Sequence, residues 1–224
     1  MEPAQVKQSM LFQGMGDTEI QEALQRLQAR EKRFGKGEML LRAGEVTEQL
    51  GLVIEGSVTI ESNDAWGNRT IISHVGRGQV FAESYAMLDH EPLLVDVTAN
   101  EDCLILFLRN CRVQTLTGLR DAWAWKVVAN LLTISAHKNL TLSGRSFHTA
   151  PKTIRGRVMS YLNSVSLRKH ADAFDIPFDR QQLADYLNVE RSALSKELGK
   201  MERDGLIACR KNHFRILLSA PDET

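Results

Sequence analysis

Along this chain the spacing of apolar positions changes twice, and each change marks a different kind of structure. In residues 17–31, Ile20, Leu24 and Leu27 fall at i, i+4 and i+7. This spacing predicts a helix, with Asp17 or Thr18 at its cap. From Gly37 to Arg109 the helical period gives way to short β-like runs at 39–41, 52–54, 57–61, 70–74, 95–99 and 104–108. Between them stand the turn signals Gly44-Glu45, Glu55-Gly56, Trp66-Gly67-Asn68, Gly76-Arg77-Gly78 and Asn100-Glu101-Asp102. Many short strands with regular turns predict an antiparallel sandwich or barrel.

The helical period returns over 113–143, a stretch with no Pro and one internal Gly. Leu116, Leu119, Trp123, Val127, Asn130, Leu131, Ile134 and His137 recur at steps of three and four. Such a seam either lies on its own sheet or pairs with the same helix of a second copy. A long helix between two compact zones favours pairing. From Gly144 to Pro151 the pattern breaks. Thr149 and Pro151 predict the cap and first turn of a new helix, and the hinge is placed there.

Residues 179–207 carry the most specific pattern. Leu183, Ala184 and Leu187 give one short helix an apolar face, and Asn188 follows at a corner that needs a residue tolerant of positive φ. Val189 plugs the angle. Leu194, Leu198 and Met201 form the buried stripe of a second helix, leaving Arg191, Ser192, Ser195, Lys196, Gly199 and Arg203 open. Cations and hydroxyls at the N-terminal half of an open helix face suit base edges in a major groove. Arg191, Ser192, Ser195 and Lys196 are the candidate base readers. Arg180 and Gln181, opening the first helix, are candidate phosphate contacts. Residues 206–216, turning near Lys211-Asn212, read as a wing, with Arg210, Lys211 and Arg215 toward the DNA backbone.

Composition refines this little. Lys plus Arg and Asp plus Glu both total 28, so the whole chain lacks the basic excess common in nucleic-acid binders. Residues 148–224, however, hold thirteen basic against ten acidic residues, so the positive excess sits with the helix pair. No apolar run approaches the roughly 18 residues that span a bilayer, and the N-terminus lacks a signal-peptide pattern. Cys103, Cys111 and Cys209 form no CxxC pair or metal-ligand spacing, the pattern of three reduced thiols in a cytoplasmic protein.

The runs at 34–62 and 67–84 are similar to a cyclic-nucleotide-binding β-roll. With the long helix and winged helix-turn-helix behind them, the chain resembles the CRP/FNR family of bacterial transcription regulators. The resemblance covers 11–217. It is carried by Gly37, Gly44, Gly56, Gly67, the stretch from Gly78 through Gln79, Val80, Phe81 and Ala82 to Glu83, and Arg180-Gln181, Arg191 and Lys196. It implies an α+β fold: an N-terminal antiparallel β-roll (jelly roll) over 1–112, a long dimerisation helix and hinge over 113–147, and a winged helix-turn-helix over 148–224. The implied protein is a homodimer on a pseudo-palindromic site in double-stranded DNA, with RNA polymerase a further candidate partner and the small-molecule effector unknown.

The resemblance also implies an effector pocket at Gly78, Phe81, Ala82, Glu83, Ser84, Leu93 and Leu94. In the cyclic-nucleotide-binding branch a Glu takes the ribose hydroxyl, and an Arg followed by Ser or Thr neutralises the phosphate. Glu83 stands at the Glu position, and Ala82 where Gly is usual. After His90-Glu91-Pro92 the Arg-Ser pair is replaced by Leu93-Leu94. A buried phosphate without its cation loses a charge-assisted contact, so cAMP is not expected to bind. The leucines either line an apolar pocket or pack into the core.

Other chemistries fare worse. The N-terminus has no cysteine for an iron–sulfur cluster, and His74 alone is a weak haem ligand. The metal-dependent cupin enzymes, jelly-roll relatives of the β-roll, use a His-x-His pair that is absent here. No catalytic residue, metal or cofactor is expected. A regulatory protein that binds a protein partner instead of DNA is the remaining alternative, and the acidic Glu190 and Glu197 beside the reading face fit it.

Overall fold

A computed structural model describes residues 2–63, 69–88, 90–119 and 121–217. The Trp66-Gly67-Asn68 turn lies outside the described residues. The chain divides into two compact units, 1–137 and 138–224. Among the described residues no helix is long and apolar enough to cross a membrane.

The first unit opens with α1 (Pro3–Val6), a 3-10 turn (Met10–Phe12) and α2 (Asp17–Arg26). The N-cap of α2 is Gly16, one residue before the expected caps, and its backbone N–H donates to Glu19 Oε2 at 2.8 Å. The helix is shorter than the 17–31 expected. Gln28 turns left-handed (φ 49°), and the charged run that follows becomes β1 (Arg30–Phe34). Pairing with a central apolar strand outweighs the helical spacing here. Arg30–Arg33 are all exposed, as suits an edge strand guarded by charge.

β2 (Met39–Leu41), β3 (Leu50–Glu55), β4 (Val58–Asn63), β5 (Arg69–Val75), β6 (Val80–Phe81), β7 (Asp96–Ala99) and β8 (Cys103–Leu108) complete two four-stranded antiparallel sheets. Their strand orders are β1-β8-β3-β6 and β2-β7-β4-β5. The six strands expected are present, whereas β1 and β6 were not foreseen. Every residue of β8 is buried, and strand alternation explains how. Cys103, Ile105 and Phe107 face the roll interior with Phe34, Val53 and Phe81. Leu104, Leu106 and Leu108 face a second core, with Leu11, Phe12, Ile20 and Leu24. One sheet therefore has roll on one side and helices on the other.

The long helix of 113–143 is two helices. α4 (Val113–Gly118) closes at Leu119, which is extended, and α5 (Ala122–Thr149) runs on through Gly144. Gly144 therefore does not break the helix. Pro151 limits it, since Pro disfavours helical backbone in the residue before it. The cap of α6 (Ile154–Lys169) is Thr153, not Thr149, and its Oγ1 accepts from Gly156 N at 3.0 Å. Only glycine fits at 156, where a Cβ would lie 2.9 Å from the Pro151 Cβ.

In the second unit β9 (Ala173–Asp175) precedes α7 (Arg180–Leu187) and α8 (Arg191–Arg203), followed by β10 (Ile207–Arg210) and β11 (His213–Ile216). The sheet order is β10-β11-β9, so the wing has a third strand that the sequence pattern did not reveal. The core is Val158, Leu162, Phe174, Leu183, Leu187, Leu194, Leu198, Met201 and Phe214, with Val189 packed against it.

Candidate nucleic-acid interface and effector site

The corner between α7 and α8 is built as its residue types require. Asp179 caps α7, accepting from Gln182 N at 2.8 Å, while Gln182 Oε1 accepts from Asp179 N at 2.9 Å. Asn188 ends the helix at φ 52° and ψ 55°, the left-handed region where Asn is tolerated after Gly. Two arginines hold the last carbonyls of α7. Arg157 donates to Leu187 O and Asn188 O at 3.1 and 2.8 Å, and Arg145 to Asp185 O and Tyr186 O at 3.1 and 3.2 Å. His148 Nδ1 shares a 2.8 Å hydrogen bond with the Tyr186 hydroxyl. Partners thirty to forty residues apart leave no local signal, and sequence reasoning missed all three.

On α8 the buried stripe is Leu194, Leu198 and Met201, and Arg191, Ser192, Ser195, Lys196 and Arg203 are exposed. The two acidic neighbours behave differently. Glu197 is drawn back by Arg155, whose Nε donates to it at 2.9 Å while its Nη2 takes Asp204 at 2.7 Å. Glu190 instead caps α8, accepting from Ser192 N at 3.2 Å and from the Ser192 hydroxyl. These bonds hold its carboxyl below the usual carboxylate range.

Of the candidate phosphate contacts, Arg180 donates to Cys209 Sγ at 3.2 Å, with its guanidinium 5.2 Å from the Phe214 ring centre. Gln181 donates to Asp185 Oδ1 at 2.9 Å. Arg210, Lys211 and Arg215 are exposed on the wing, with Lys211 at φ 57° in its turn.

The candidate effector residues are spread over different surroundings. Ala82 is left-handed (φ 57°) ahead of α3 (Glu83–Met87). Glu83 is buried, Ser84 exposed and Gly78 part-exposed. Phe81 is buried in the roll, so close to Gly51 that a Cβ there would run into its ring. Leu93 is buried. Its N–H donates to Glu45 O, its carbonyl accepts from Gly44 N, and the residue borders a groove of about 450 Å³ together with Leu41, Thr47, Gln49 and Arg109. Leu94 points out, 74% exposed, and its N–H donates to the Tyr85 hydroxyl at 3.3 Å. His74 Nδ1 is engaged by the Thr59 hydroxyl at 2.9 Å. Burial pushes the Cys111 thiol up to about 12.

Two family models match: the cyclic nucleotide-binding domain over residues 31–117 and the Crp-like helix-turn-helix domain over 156–222. The chain belongs to the CRP/FNR family. It is a DNA-binding transcription regulator with a β-roll ahead of its reading unit. One CRP/FNR relative is the cAMP-activated global transcriptional regulator CRP of Haemophilus influenzae, 22% identical over 75% of each chain. Another is the transcriptional activator protein FnrL of Cereibacter sphaeroides, 22% identical over 85% of this chain and 80% of that one. The fold is shared with the c-di-GMP-responsive global regulator CLP of Xanthomonas campestris, at 18% identity and a TM-score of 0.60. That likeness covers 91% of this chain and 100% of the other.

Proposed function

We propose that this regulator acts in the cytoplasm as a homodimer. Two copies of α8 enter successive major grooves of a pseudo-palindromic site, and RNA polymerase is the partner at the promoter. The observation that carries the dimer is a second stripe on α5. The expected seam of Trp123, Val127, Leu131 and Ile134 is spent inside the first unit's own core. One or two residues along, Trp125, Ala129, Leu132 and Ala136 are all exposed at steps of four, three and four, with Trp125 at 55% and Leu132 at 70%. That is the spacing of a heptad seam, with small residues that permit close approach. Sedimentation equilibrium is expected to return twice the 25.2 kDa chain mass. A monomer at micromolar concentration contradicts the dimer.

We also propose that the sensor does not take cAMP. Where the resemblance implies a cation and a hydroxyl for the phosphate, this chain offers one leucine packed inside and one turned to solvent. Neither replaces a charge-assisted hydrogen bond. A calorimetric titration is expected to give no heat of binding, and micromolar binding of cAMP overturns the reading.

A further inference from the structure

We propose that Glu190, together with Ser192, is a specificity-determining acceptor pair on the recognition helix, reading the exocyclic amino group of a cytosine or adenine. The inference rests on the proposed reading of DNA by α8.

A serine hydroxyl has a single proton to donate, and Ser192 gives it to Glu190. What Ser192 then offers outward is lone pairs only. Glu190 accepts from the Ser192 N–H as well, and the pull of both bonds keeps it ionised at neutral pH. Both residues are exposed. The first turn of α8 therefore presents acceptors side by side, with Arg191 and Lys196 as donors beyond them.

Two consequences follow for DNA. The N-terminus of a helix ordinarily draws phosphate oxygens. Here the helix's own carboxylate occupies that position, and its charge repels the backbone. In the major groove, acceptors pair with cytosine N4–H₂ or adenine N6–H₂, whereas guanine O6 and N7 and thymine O4 repel them. Glu197 takes no such part, because Arg155 holds it at 2.9 Å. Binding is weakened on arbitrary sequence and restored only where an amino group meets the pair, which sharpens discrimination.

The test uses the full chain in selection from random duplex DNA, with Glu190→Ser as the main variant. Serine is at least as good a helix cap, so the variant keeps its fold while losing the carboxylate. Glu190→Gln, which keeps the shape and loses the charge, serves as the second variant. Wild type is expected to prefer cytosine or adenine at one position of each half-site. Deleting that amino group, with 2-pyrimidinone for cytosine or purine for adenine, is expected to weaken wild type roughly tenfold. Glu190→Ser is expected to lose the preference, be indifferent to the deletion, and bind random duplex a few-fold tighter. Glu190→Gln is expected to share the gain on random duplex. If wild type selects a site and Glu190→Ser keeps every preference, the inference fails. If wild type selects no site at all, the reading of DNA by α8 fails instead.

Discussion

Lys196 is exposed on α8. Its loss to alanine should cost about 1–3 kcal/mol on the selected site and relax one base position. Equal weakening on all sequences, seen by titration against site variants, would make it a phosphate contact. Ala82 is a different case, since its left-handed backbone strains any residue with a Cβ. Ala82→Gly should stabilise the first unit by about 1 kcal/mol in thermal melts, because relief of that strain exceeds glycine's added entropy in the unfolded chain. His148 sets an acid limit. Burial against Tyr161 and Tyr186, with Arg168 near, holds its pKa below the ordinary 6.5. Between the folded and unfolded values the unfolded chain binds the extra proton. Its contribution is therefore full above about 6.5 and lost as pH falls through the folded pKa. Melts of wild type and His148→Leu across about pH 5 to 8 should show that loss in wild type alone.

At the scale of elements, the sequence was readable where neighbours in sequence decide the structure. Asn188, Val189 and the Leu194–Leu198 spacing marked the reading unit because a turn and a three-four stripe are local. The start of β1 was misread as helix because the spacing of Ile20, Leu24 and Leu27 was carried on to residue 31, and only the register Arg30↔Phe107 across the chain makes it a strand. The seam of α5 was found, but not which partner it meets. A stripe looks the same whether it buries against α2 or against a second copy. Its true outer face follows once Trp123 and Val127 are placed in the core. Leu132→Glu, exposed in the monomer, should keep the native circular dichroism and shift sedimentation to the monomer, since like charges would face one another across the seam. Retention of the dimer would place the interface elsewhere.

For the whole molecule, fold class and DNA binding were legible, because each rests on many residues agreeing. The effector was not, because it rests on a few side chains whose direction sequence cannot give. Leu93 and Leu94 are adjacent in sequence, yet one is buried and the other open to solvent. A dimer carrying two copies of α8 makes one geometric demand on its DNA. Its half-sites must be related by a two-fold axis, with centres about 34–36 Å, or roughly 10–10.5 base pairs, apart or at multiples of that turn. Selection of the full-length protein on random duplex DNA, followed by sequencing, measures this directly. The account predicts an inverted repeat with that spacing; enrichment of a single unpaired half-site, or of nothing, would contradict it.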